Sequence, residues 1–530
     1  MMIGILRMVR TCSAACIYAA ALVLGLIGPA AAGSAEGQEL LRTHCSRCHH
    51  ENAGQFDGIS TIRKTPEGWL MTLLRMRQVH RLVLGDDVRD ALMRYLSDAQ
   101  GLAPSETDAG RFALEQRPNA KDLDLGTDIN ATCGHCHSLA RVSLQRRDEE
   151  EWRKLARMHV RYWPSPEYQT SARDRPWLQI AAGAVAAQLA ARYPFATAPW
   201  TQWQRRPVGD LNGSWAVVGH VPGGHDFHGT ANIERVGVGD YRATYQLTDS
   251  DGMAQQGESK AVVYTGYEWR GSAEIGGRAL REVYTVGPSG NRIAGRWFDA
   301  DHTEDGGEWA AYRNNGKVRI VAMQPHALRT GTTTDVVIVG LGLDKQPGSL
   351  SLGEGTVVSN ERRDSYSIRA QVKVADDAQP GSRNVSVGNV GGFGLLAIYR
   401  QIDQIEVEPN FAIGRLGGGN AAPVSAQFEA IGSTRLPNGA LLSLGPVAAD
   451  WSTAPFDAEA TRSEDDKFAG QLDQRGRFLP AGAARKPARK LSGDTVDNLW
   501  VIAKTRDADH AEGRAHLIVT AQSGNTPPIY

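Results

Sequence analysis

Residues 45–49 read C-S-R-C-H and residues 133–137 read C-G-H-C-H. Both fit C-x-x-C-H, the signature of covalent c-type haem attachment. The chemistry dictates the spacing. Two thiols three positions apart share one side of a helical turn, where each adds to a vinyl group of the same porphyrin. The adjoining His then reaches the iron from the proximal face. A thioredoxin-like thiol pair would want a βαβ setting, and a zinc site gathers four N or S ligands in one place. Here each Cys pair carries its own His. Two covalently bound haem c groups are therefore expected. Cys45 and Cys48 would hold the first, with His49 on its iron, and Cys133 and Cys136 the second, with His137. His44, His50 and His135 flank the motifs and read as surface or packing residues.

The sixth ligands follow from a diverged internal repeat. E-G-W-L-M-T-L-L-R-M begins at Glu67, and E-E-W-R-K-L-A-R-M-H begins at Glu150. Superposing Trp69 on Trp152 sets Met76 opposite His159, each two helical turns beyond its Trp and on the same helix face. The register predicts unlike pairs: His49 and Met76 on the first iron, His137 and His159 on the second. Met71 and His80 remain rivals on the first, Met158 on the second. A His/Met haem normally sits at higher potential than a bis-His haem. Electrons are accordingly expected to enter at the second haem and leave from the first.

Outward from the motifs, the chain has 530 residues with Lys plus Arg 58, Asp plus Glu 59 and a formal charge of −1. That balance excludes the basic excess of a nucleic-acid-binding protein. Residues 1–32 read as a secretory signal peptide: Arg7 and Arg10, an apolar run from Ile17 to Ile27, and Ala30-Ala31-Ala32 before cleavage. No later stretch is long and apolar enough to span a bilayer, so an exported, periplasmic chain without a membrane span is expected. Of six Cys, Cys12 and Cys16 leave with the signal, and the other four are those of the two motifs.

Residues 34–204 read as an all-α tandem dihaem cytochrome c domain. After Pro199 the texture changes to short alternating runs such as Tyr241, Ala243, Tyr245 and Leu247 between Gly- and Asp-rich turns. With Trp215, Trp269, Trp297 and Trp309 recurring, residues 205–318 read as an antiparallel β-barrel. Residues 319–405 and 406–530 read as two immunoglobulin-like β-sandwiches, with a polar, loop-rich stretch over Thr461–Lys490. His220, His225 and His228 cluster around Asp226 beside Pro222-Gly223-Gly224 and read as polar turn residues, not a metal site.

The combination resembles the α subunit of quinohaemoprotein amine dehydrogenase over essentially the whole mature length. The resemblance is carried by C-S-R-C-H with T-P-E-G-W (Thr65–Trp69), by C-G-H-C-H with R-V-S-L-Q-R-R (Arg141–Arg147), and by P-V-S-A-Q-F-E-A-I-G (Pro423–Gly432). It implies a periplasmic heterotrimer that oxidises primary amines to aldehydes and ammonia. A small subunit would hold cysteine tryptophylquinone, and another would be a seven-bladed β-propeller. This chain would relay electrons through its haems to azurin or a cytochrome c. The family's haem pair is one His/Met and one bis-His, which implies Cys45, Cys48, His49, Met76, Cys133, Cys136, His137 and His159 as the haem-binding set. A thiol-linked quinone needs a Cys of its own, and all four mature Cys are committed to haem. The quinone therefore belongs on a partner, and no catalytic residue is expected here. Two other functions compete: a dihaem oxidase or peroxidase, which needs an open iron, and a free-standing dihaem carrier.

Overall fold

The structure, a computed structural model, describes residues 29–111, 122–134, 137–164, 167, 175–206, 209–417, 422–482, 486, 488–489, 496–506 and 510–521. Residues 1–28 of the expected signal peptide lie outside them, as do His135 and Cys136. The chain divides into two units, one of residues 1–111 and 123–206 and the other of 112–122 and 207–530.

The first unit opens with α1 (Pro29–Cys45), a hairpin of β1 (Glu51–Asn52) and β2 (Gln55–Phe56), and β3 (Ile62–Lys64). Then come α2 (Pro66–His80), α3 (Asp86–Gln100) and α4 (Pro104–Thr107). The second half has α5 (Thr127–Cys133), α6 (Ala140–Ser143), β4 (Gln145–Arg147) and α7 (Glu149–Tyr162), followed by α8 (Trp177–Ile180), α9 (Ala186–Arg192) and α10 (Ala198–Gln204). The two repeat helices start by the same device. Thr65 caps α2 by accepting from Gly68 N, with Pro66 in the first turn, and Asp148 caps α7 by accepting from Glu151 N at 2.8 Å. Each cap satisfies an amide that the helix leaves open. Arg81 ends α2 in the left-handed conformation.

The expected fold class needs correction. The chain is 24% helix and 44% strand, and the described residues form no all-α tandem cytochrome domain. Within the first unit β3 pairs antiparallel with β4, setting Ile62 against Arg147 and Lys64 against Gln145. The two halves thus share a sheet in place of forming separate helical units. The reason lies beneath it. Arg63 and Arg146, 2% and 6% exposed, both bind Glu106 from the end of the first half. A buried carboxylate with two guanidiniums needs its arms held in register, which extended strands supply.

In the second unit, eight strands close a barrel: β5 (Gly213–His220), β6 (Asp226–Arg235), β7 (Asp240–Asp249), β8 (Ala254–Tyr264), β9 (Glu268–Ile275), β10 (Arg278–Val286), β11 (Arg292–Asp299) and β12 (Gly306–Arg313). Every neighbouring pair is antiparallel. Trp215, Trp269, Trp309, Tyr241, Tyr245 and Tyr284 fill its lumen, so the interior is core and not a channel. Among them Glu282 accepts from Tyr245 Oη at 2.7 Å, Ser259 Oγ at 2.6 Å and Trp269 Nε1 at 2.9 Å, which offsets the cost of burying it. A side chain at Gly295 would meet Val283 O at 2.2 Å, so the packed wall requires glycine there.

Residues 319–399 form two four-stranded sheets over a core that includes Val336, Ile338, Ile368, Val372 and Ile398. One contains a parallel pair, Ala327–Arg329 beside Ala397–Tyr399. The final region is built of three sheets, again with a parallel pair, Phe411–Leu416 beside His516–Ala521. Within the stretch read as loop, helices form at Ala458–Ser463 and Asp465–Phe468, the first capped by Asp457 accepting from Ala460 N.

Of the three histidines read as turn residues, His225 lies in the turn, while His220 and His228 stand in the strands beside it. His220 ends β5, its ring held between Asp226 Oδ1 and Glu429 Oε1 at 2.8 Å each, and Gly223 N also donates to Glu429. Burial opposes the charged ring, but the hydrogen bonds to Asp226 and Glu429 outweigh it and push its pKa up to about 9. A raised value contributes stability below the unfolded pKa of about 6.5 and loses it as pH rises through the folded one. His220→Asn is therefore expected to cost ~1–3 kcal/mol near pH 6, with the difference vanishing by about pH 10. Thermal unfolding of wild type and variant across that range checks it, and a pH-independent gap would refute the charged clasp.

Candidate haem sites

Cys45 closes α1, and the chain folds back at once: Cys48 N and His49 N both donate to Cys45 O, at 3.1 and 2.9 Å. This turn sets both thiols and the imidazole beside one another. Burial, then the neighbouring Cys48, pushes the Cys45 thiol up to about 11. His49 Nδ1 lies 2.7 Å from Asp57 O, so that nitrogen donates to a carbonyl and Nε2 stays available to a metal.

Of the second motif, Cys133, Gly134 and His137 are among the described residues. Cys133 ends α5, and Gly134 follows where a Cβ would stand 2.8 Å from Asn130 O. His137 Nδ1 lies 2.9 Å from Ser138 O, and His159 Nδ1, on α7, lies 2.8 Å from Leu155 O. The two rings face one another with centroids 6.3 Å apart and planes at 41°. Two imidazoles bound through Nε2 at about 2.0 Å to one metal would place their centroids at about that separation. Trp177 and Trp163 pack against His159 at 6.1 Å each, and burial lowers its pKa, keeping the ring in the neutral form a ligand requires.

Trp69 and Trp152, the repeat anchors, are 1% and 2% exposed. Trp69 donates through Nε1 to Gln100 O at 3.2 Å, whereas Trp152 Nε1 is buried with no acceptor among the described residues. Trp152 packs in the cluster that borders Cys133. Nearby charge is unbalanced. Lys64 and Arg147, 7% and 4% exposed, lie with Arg75 near two carboxylates, Glu151 and the helix-capping Asp148. Burial, with Arg147 and Arg75 alongside, pushes Lys64 well below the usual lysine range. An unmet indole N–H and a cationic excess suit a group that carries carboxylates at its edge, as haem does.

Met76 and Met71 are half-buried on α2, and Met158 is half-buried on α7. His80 is exposed, with its Nε2 2.8 Å from Tyr162 Oη. Reading the sequence alone missed Asp57, Ser138 and Leu155, because an anchoring carbonyl carries no side-chain signature. It also missed Trp177, whose Nε1 donates to Thr132 O and ties α8 to the second motif. Among the described residues no group of three or more His, Cys, Asp or Glu could hold a further metal ion, and no helix is long and apolar enough to cross a membrane.

Residues 35–200 match the haem-binding domain of quinohemoprotein amine dehydrogenase alpha subunit, residues 209–314 its domain II, 317–400 its domain III and 405–529 its domain IV. The chain belongs to the quinohemoprotein amine dehydrogenase alpha-subunit family. The family is a subunit of an amine dehydrogenase, an oxidoreductase, and the domain with both motifs is its haem-binding one. No curated protein matches the chain. Solved structures similar to parts of it include a redesigned β barrel bound to DFHBI, at 20% identity over 19% of this chain and 94% of that one, with a TM-score of 0.18. A Bacteroides ovatus mixed-linkage glucan utilization protein in complex with a heptasaccharide matches at 9% identity over 61% and 73%, TM-score 0.20. A mouse clustered protocadherin matches at 10% identity over 46% and 76%, TM-score 0.16. Likenesses this slight carry no argument about function.

Proposed function

We propose that this alpha-subunit family member is the electron-relay subunit of a periplasmic amine dehydrogenase, carrying two covalently bound haem c groups. The observation that carries the reading is the facing pair His137 and His159, 6.3 Å between centroids with both Nδ1 atoms on backbone carbonyls. In this reading His49 and Met76 bind the first iron, with Cys45 and Cys48 as thioether anchors. His137 and His159 bind the second, with Cys133 and Cys136 as anchors. His80 is a weaker rival for the first iron because Tyr162 already engages its Nε2.

When bound, haem supplies a one-electron couple whose potential the axial ligands tune. The chain's residues do the rest. Ser138 O, Leu155 O and Asp57 O fix the tautomer and orientation of each His, so each Nε2 would be held ready for a bound iron. Trp152 and Trp177 would keep water from the second site, and Lys64, Arg75 and Arg147 would supply positive charge to carboxylates of the bound group. Amine oxidation itself we assign to cysteine tryptophylquinone on a small partner subunit, with a β-propeller subunit completing a heterotrimer. Azurin or a cytochrome c would be the soluble acceptor.

The test is chemical. The chain isolated after export is expected to carry the added mass of two haem groups that survives denaturation, and Cys133→Ala with Cys136→Ala is expected to remove one of them. Amine added to the native complex is expected to reduce both. A chain without added mass would refute the reading.

A further inference from the structure

The C-terminal ends of α2 and α7 meet at the surface. Tyr162 Oη lies 2.8 Å from His80 Nε2, with the two rings edge to face at 6.2 Å. Trp163 follows, 5.9 Å from the Tyr162 ring and 6.1 Å from that of His159. Trp163 is 55% exposed, and beside His80 Val79 and Val83 are 47% and 88% exposed. Isolated apolar residues on a surface need no explanation. Three at one junction, one of them packed on a candidate iron ligand, mark a place where another surface fits.

The rim of this patch is basic. Arg77 and Arg81 at the end of α2, and Arg157 and Arg161 at the end of α7, are all exposed. None of the four has an ion-pair partner among the described residues. The carboxylates of α7, Glu149 to Glu151, stand at its other end and are engaged there by Arg147, Arg153 and Lys154. Arg75 adds a half-buried charge behind Tyr162.

We infer that the junction of α2 and α7 is the docking face for a soluble redox protein whose contact patch is apolar with an acidic rim. The inference rests on the reading that His137 and His159 hold a haem; it adds where an acceptor docks and what charge it presents, and it puts the exit beside His159 in place of the first-haem exit expected from ligand type alone. One electron passes from reduced haem iron to the oxidised metal of the partner; no bond forms or breaks and no proton moves. The guanidinium rim steers encounter, which acts on the association rate and is screened by salt. Trp163 then sets the closest contact to the ligand-bearing helices.

Stopped-flow oxidation of the dithionite-reduced native complex tests this, with an acidic blue-copper protein and a basic cytochrome c as oxidants. The acidic oxidant is expected to react faster at low salt and to slow steeply as salt rises. Arg157→Glu with Arg161→Glu is expected to cut its association rate at least tenfold and abolish that salt dependence. Trp163→Leu is expected to lower the limiting rate at saturating oxidant while leaving the salt dependence intact. Oxidation by a small neutral quinone, which needs no docking, should be unchanged in the arginine variant. Unchanged rates with the acidic protein after charge reversal, or a basic oxidant favoured at low salt, would overturn the inference. Absence of haem absorbance in the complex would instead overturn the reading beneath it.

Discussion

Glu106→Ala is expected to destabilise the first unit by about 3–5 kcal/mol, the range for breaking a buried ion pair from one side. The carboxylate accepts from Arg63 Nη1 at 2.9 Å, Arg63 Nη2 at 3.0 Å, Arg146 Nε at 3.0 Å, Thr197 Oγ1 at 2.9 Å and Ala103 N at 2.8 Å. Its removal leaves two guanidiniums, 2% and 6% exposed, without their counter-charge. Their remaining acceptors are neutral: Phe195 O, Gly101 O and Thr197 Oγ1 for Arg63, and the backbone carbonyls of Ser143, Gln145 and residue 106 for Arg146. Glu106→Gln keeps the shape and part of the hydrogen bonding but not the charge, and should fall between. Burial would raise the Glu106 pKa, but the Arg63 and Arg146 contacts outweigh it and hold the group below the usual carboxylate range. The sign follows: the contribution is present above the unfolded glutamate pKa and lost as pH falls through the folded one. Calorimetry of wild type and variant at neutral pH should show one transition lowered, that of residues 29–206, while unfolding of the barrel unit stays in place. A loss under about 1 kcal/mol would mean the arginines find other partners and the shared sheet is held by something else.

This network also marks the limit of what could be read beforehand. The two C-x-x-C-H motifs stand out because their chemistry fixes a short spacing of side chains, and the family membership they pointed to holds. Likewise the alternation of Tyr241, Ala243, Tyr245 and Leu247 follows from a strand with one face in a core, and all four are buried in β7. The shared sheet gave no such signal. Ile62-Arg63-Lys64 and Gln145-Arg146-Arg147 bury five residues of six, four of them cationic, where hydrophobic patterning assigns charge to the surface. Only the distant Glu106 makes that burial tolerable, and no local window contains it. His220 was misjudged for the same reason: its second carboxylate, Glu429, is 209 positions away. Repeat register was more informative, since a seven-residue step from each Trp is a local property of a helix. It named His159, which the structure sets against His137.

That pairing makes the second large effect spectroscopic. His159→Gly is expected to convert one of two haems, and only one, from low-spin to high-spin, because nothing else on α7 can replace the ring from the same direction. Met158 is half-buried on the adjacent position, about 100° away around the helix, so its sulfur leaves the face that His159 shares with Trp152. Imidazole added to the variant should restore the low-spin spectrum, since Trp163 and Trp177 still wall the vacated space. His159→Met should instead keep six-coordination and raise the potential of that haem towards the His/Met range, narrowing or reversing the gap between the two. Redox titration followed by visible absorption reads both variants without any amine present. Two low-spin haems persisting in His159→Gly would show that another residue binds the second iron and that the 6.3 Å facing of His137 and His159 is packing alone.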